Sequence, residues 1–277
     1  MATTKITSAV GGRGAWIFAQ DASGYPSGDQ SGAAPYDGVR LTGFQSLSLT
    51  LPDPQLIQHQ GDDVTFAQDY LSPAELPSAT LQTGKFNLDI DALLQGTLTN
   101  TIGDAQAGSM ATDKDGTEID VTLIVYRQAL DTDPASAQFG KRRWQHYLFP
   151  KTRIVPKGGN IEQGAADPNS YNLIPSKSTT EPWGVVYSTG VHGATQVVMR
   201  RIIAENPLML QRNTGNGTLD TFTTIFTPIS VAKTQVWANG TPQTVSSVST
   251  VNKTYTLSAP AANNTAVVAF YETSDSV

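Results

Sequence analysis

The chain is predicted to be mainly β: a larger β-sandwich with a short flanking helix, followed by a smaller C-terminal β-sandwich. Three observations point there. Several segments alternate apolar and polar residues with period two, clusters of Gly, Pro, Asn and Asp separate them, and only one short stretch carries a helical signature. With 277 residues and 39% hydrophobic content, the chain has enough apolar material for two domains, expected at 1–220 and 221–277.

Taken in order, Gly24 to Gly38 (GYPSGDQSGAAPYDG) is turn-forming and is expected to be an exposed loop. Leu47, Leu49 and Leu51 alternate with Ser48 and Thr50, a strand with one wet face that Pro52 and Pro54 end. Thr80 to Ile90 is a second candidate strand; it runs into DIDALLQG, where Asp89 or Asp91 can cap a short helix stopped by Gly96. Glu118 to Arg127 (EIDVTLIVYR) is the clearest strand, with Ile119, Val121, Leu123 and Val125 on one face and Glu118, Asp120 and Thr122 on the other. Gly184 to Ala204 supplies one or two more strands. Asn213 to Gly217 (NTGNG) is the candidate linker, and beyond it short strands follow one another, with Asn239-Gly240 as a type I′ hairpin turn.

Composition excludes several functions. The absence of cysteine removes disulfides, thiolate metal sites and thiol nucleophiles, and fits synthesis in a reducing cytoplasm. A net charge of −6 argues against a protein whose main task is gripping nucleic acid. No window is long and apolar enough for a signal core or a membrane span, so no membrane insertion is expected. His59, His146 and His192 form no H-E-x-x-H frame, the serine of GYPSG is misplaced for a nucleophile elbow, and DKDGTE (Asp113 to Glu118) lacks the closing glutamate of a calcium loop. No enzyme activity, cofactor or metal is expected.

One stretch stands apart: GKRRWQHYLFPKTRIVPKGG, Gly140 to Gly159, holds six of the 18 basic residues, and no acid lies between Asp133 and Glu162. A nucleic-acid surface is one reading, with Trp144 or Tyr147 stacking on bases. The alternation of Trp144, His146 and Leu148 with Gln145, Tyr147 and Phe149 favours the other, a long β-arm whose charges meet acids of a neighbouring chain.

Several stretches together resemble the major tail tube proteins of long-tailed (siphovirus-type) bacteriophages: LTGFQSLSLTLPDPQLI, LPSATLQTGKFNLDIDALLQG, TEIDVTLIVYRQA followed by KRRWQHYLFPKTRI, and a C-terminal module with VWANG and TYTLSAP. The resemblance implies a tail-tube-type β-sandwich and an outer immunoglobulin-like module, in six-membered rings stacked into a tube through which DNA passes at ejection. It implies a virion location after assembly in the host cytoplasm, with self, a tape measure protein and a tail terminator as partners. On that footing Asp89, Asp91, Glu118 and Asp120 are candidates for the lumen. Lys141, Arg142, Arg143, Lys151 and Arg153 are candidates for contacts between subunits, with Asp62 and Asp63 among their acidic partners. A rival reading is a virion receptor- or glycan-binding protein whose module uses Trp237, Tyr255 and Tyr271.

Overall fold

The structure, a computed structural model, describes residues 7–21, 24–26, 38–41, 43–53, 55–61, 64–71, 76–84, 90, 94, 99–101, 108–110, 119–137, 139–157, 169–176 and 199–275. The chain is mainly β, built from several antiparallel sheets. Its strands begin with β1 (Thr7–Ala19), β2 (Val39–Leu41), β3 (Phe44–Thr50), β4 (Gln55–Gly61), β5 (Val64–Leu71) and β6 (Ser78–Thr83). They continue with β7 (Thr99–Thr101), β8 (Gly108–Met110), β9 (Asp120–Asp131), β10 (Arg142–Lys157), β11 (Asn169–Pro175) and β12 (Arg200–Ala204). The C-terminal set is β13 (Leu208–Thr214), β14 (Thr221–Thr223), β15 (Thr234–Ala238), β16 (Thr241–Gln243), β17 (Val245–Ser249), β18 (Thr254–Leu257) and β19 (Ala266–Glu272).

The main sheet runs β2-β1-β9-β10-β11-β6-β3, with β12 also paired to β10. What folds this ribbon over is a break in β10. Between Phe149 and Thr152 its register against β9 shifts, at Pro150, which has no N–H to give the ladder. The first half of β10 pairs with β12 at 144–148 and the second with β11 at 152–157. Pro150 therefore does not end the strand; it turns the strand from one layer into the next. The freed Pro150 carbonyl accepts from the Thr122 hydroxyl at 2.7 Å and from the Gln20 amide.

Between the layers lie Ala15 and Ile17 of β1, Val121, Leu123 and Val125 of β9, Phe149, and Leu81, Tyr171 and Leu173 from the opposite side. Ile90 and Leu94, both helical and four residues apart, bury themselves in the same cluster, as the i, i+4 spacing of a short packed helix requires.

The other face of β9 departs from expectation. Thr122, Ile124 and Tyr126 are as deeply buried as the inner set: the C-terminal strands cover Ile124 and Tyr126, and Thr122 is bonded to Gln20 and the Pro150 carbonyl. The face carrying Asp120 and Thr122 is thus not a water-facing one along its length. The apolar run Leu123 to Tyr126 is the signature of a strand buried on both sides.

Those C-terminal strands form two sheets, β13-β19-β15-β16 and β14-β18-β17. Their interface holds Phe222, Val236, Tyr255, Val267 and Tyr271. Asn239 and Gly240 both have positive φ, 45° and 79°, as a type I′ turn demands, and close β15 onto β16. Pairing of Leu208–Thr214 with β19 starts this unit before residue 221. Asn213 is no linker residue: its Oδ1 accepts from the Tyr255 hydroxyl at 3.1 Å and from Gln211 Nε2 at 3.0 Å, while Gln211 Oε1 accepts from the Tyr271 hydroxyl at 3.3 Å. This buried network ties both sheets together, and burial pushes the Tyr255 phenol well above its ordinary pKa.

Candidate assembly surfaces

The basic stretch is β10 with its entry turn. Asp131 and Lys141 close the β9–β10 hairpin, where the Asp131 N–H donates to the Lys141 carbonyl and the Gly140 N–H to the Asp131 carbonyl. Arg143 meets Asp131 at 3.4 Å and Glu205 at 3.2 Å. Desolvation pushes the Asp131 carboxyl up, but the Asp133 N–H, the Ser136 hydroxyl and Arg143 outweigh it and hold the group below its usual range. Lys151 and Arg153 both reach Asp120, at 3.2 Å and 3.7 Å.

Three of the five basic residues expected to meet a neighbour therefore have acidic partners within their own chain. Asp120, expected in the lumen, is one of those partners. The acid-free sequence concealed this because the partners lie across the ladder on β9 and just before β13. Lys141 and Arg142 are exposed and make no ion pair with any described residue. Asp62, Asp63, Asp89, Asp91 and Glu118 lie outside the described residues, as does the DKDG turn.

A surface that the sequence reading did not single out is the outward face of β3, β6 and β11. These three neighbouring strands contain no charged residue. Their register sets Ser46, Gln82 and Ser170 in one row and Ser48, Thr80 and Asn172 in the next. On the opposite side of the same strands Leu47, Leu49, Leu81 and Leu173 face the core. Among the described strands, β3 ends the sheet with one edge unpaired. The hairpin β4–β5, which follows β3 in the chain, pairs with no other described strand.

No protein-family model matches the chain, and no curated protein matches it. The surfaces must be read from their own chemistry. Among the described residues no cluster of His, Asp or Glu could hold a metal ion, and no helix is long and apolar enough to cross a membrane.

The joint between the main sheet and the C-terminal unit is polar as well as apolar. The Tyr126 hydroxyl donates to the Leu208 carbonyl at 2.6 Å, and the Leu208 N–H donates to His146 Nε2 at 3.1 Å. The rings of Tyr126 and His146 meet edge to face at 5.2 Å. Arg212 pairs with Asp21 at 2.9 Å and donates to the Pro26 carbonyl, while Lys233 bridges Glu272 and Glu205. Burial drives the His146 pKa down to about 4, although the Ile202 backbone draws it upward. Nothing near His146 in sequence announces this role, since its partner lies 62 residues further on.

Proposed function

We propose that this chain is a self-assembling structural protein of a phage tail tube, whose stacked rings form a conduit for DNA. The observation that carries the proposal is the uncharged β3-β6-β11 face. A conduit for a polyanion must avoid cationic contacts, because each Lys or Arg that neutralises a phosphate adds a salt-sensitive attraction that slows passage. Rows of hydroxyls and amides exchange hydrogen bonds freely with water and add no such grip. The opposite face of the molecule is covered by the C-terminal unit, so this is the sheet face left to line a bore, in place of Asp120. The edge of β3, unpaired among the described strands, supports lateral assembly, since an open edge calls for a strand from a neighbour.

The glycan-binding alternative loses most of its support. Tyr255 and Tyr271 are core residues, leaving only Trp237, half-buried, as a platform. Electron microscopy of the purified protein tests the proposal. Rings or tubes of uniform bore are expected, and tubes of Ser48→Lys/Thr80→Lys protein should retain DNA at low salt where wild-type tubes do not. Monomers or compact trimers at all concentrations would overturn it.

A further inference from the structure

We infer that the groove between β3 and the wall of β9, β10 and β12 binds a single-chain amphiphile with an anionic head, a medium-chain carboxylate; the inference is independent of self-assembly. The groove is about 440 Å³ in volume, within the usual range for small-molecule sites. One side is β3, whose Leu47 and Leu49 turn inward yet are only half-buried, because the space they face is open. Leu51 continues their row and is 49% exposed. Across the gap stand Val125 and Tyr147, side by side by register. At the other end of the leucine row, the Phe44 ring lies so close over Gly12 that a Cβ there would overlap it.

The charge of the groove is one-sided. Arg127 and Arg201 are the only charged residues in its described lining, and neither forms an ion pair with any described residue. This sets them apart in a chain with 24 acids to 18 bases, where Arg143, Lys151, Arg153, Arg212, Lys233 and Lys253 each have an acidic partner. Arg201 lies opposite Tyr147 in the ladder, its guanidinium 5.7 Å from the centre of that ring. Arg127 stands two residues along β9 from Val125, on the same face. Strand spacing puts the two arginine backbones roughly 12 Å apart, so their long side chains can close on one anion between them. A carboxylate suits a guanidinium, which binds it through two parallel hydrogen bonds. The leucine row offers only hydrocarbon and takes the alkyl chain. At about 30 Å³ per non-hydrogen atom, the share of a water molecule in the liquid, the groove holds roughly 15 such atoms. That is room for one chain of decanoate size and not for the two chains of a membrane lipid.

Isothermal titration calorimetry of the purified protein with decanoate, kept below its micelle-forming concentration, tests the site. One molecule per chain is expected, with affinity rising by up to about fourfold per methylene from hexanoate to decanoate. Arg127→Gln/Arg201→Gln should weaken decanoate binding about tenfold and leave binding of decanol, the neutral analogue, unchanged. Lys157→Gln, which removes a cation from β10 outside the groove, should alter neither. Circular dichroism confirms that each variant folds. In the wild-type protein, a diazirine-bearing decanoate should label the peptides that carry Leu49 or Tyr147. Undiminished binding in the double arginine variant, or label found only elsewhere, overturns the inference. So does a lack of saturable decanoate binding, and a synthetic peptide alternating leucine and glutamate that binds in its stead assigns the groove to a protein partner.

Discussion

His146 is neutral because the site excludes water and because Nε2 must accept the Leu208 N–H; protonation would set a donor against a donor. The unfolded chain takes up the proton near pH 6.5, the folded chain only near pH 4. Stability is therefore full above pH 6.5 and falls as pH drops toward 4, by about 3 kcal/mol in all. Asp131 and Asp275, whose hydrogen bonds hold them below their ordinary value of 3.8, weaken the fold only at still lower pH. The two windows separate the causes. His146→Phe should be destabilised at neutral pH by about 1 to 3 kcal/mol, because the Leu208 N–H loses its acceptor, and its stability should be nearly flat between pH 6.5 and 4. Thermal unfolding across that range checks this, and an unchanged slope would assign the titration to another group.

At the level of single elements, the pattern of the sequence locates β3 and β9, since their inward residues alternate, whereas the strand expected over Thr80–Ile90 coincides with β6 only from Thr80 to Thr83. It also locates the turn at Asn239-Gly240, whose backbone requirement only a few residue pairs meet. What alternation cannot show is a second covering layer. In β9 and β10 both residue sets are buried, and the partner that hides Ile124, Tyr126, Trp144 and Leu148 comes from strands beyond residue 207. The NTGNG stretch misleads for a similar reason: its glycines suggest a linker, but Gly215 is small because a Cβ there would lie 2.4 Å from the Ala262 carbonyl oxygen. Backbone cannot swing aside as a side chain can. Gly215→Ala should thus destabilise the C-terminal unit by about 1 to 3 kcal/mol, visible in chemical denaturation monitored by the fluorescence of Trp237. Gly14→Ala, where a Cβ would meet nothing within 4 Å, is the matched control.

For the whole molecule, the C-terminal unit is a wall of the fold. A chain ending at Asp220 keeps β13 but loses β19, its pairing partner, and uncovers Phe18, Ile124, Tyr126 and Leu148. Each such side chain loses about 1.5 to 3 kcal/mol of burial, so the truncated protein should be insoluble or bind hydrophobic dyes strongly; a soluble, assembling fragment would show that the main sheet stands alone. The pairing of β1 with β9 adds a consequence in time. Thr7 lies opposite Asp131, and the far face of that pair is closed only by strands ending at Glu272. On the ribosome, the first strand must wait for more than a hundred residues to emerge, and the finished sheet face waits until Glu272 has been made. Such non-local pairing makes folding slow. It also ties the completion of this sheet to the synthesis of its last covering strand, so a nascent chain that has not reached Glu272 leaves Ile124 and Tyr126 in water.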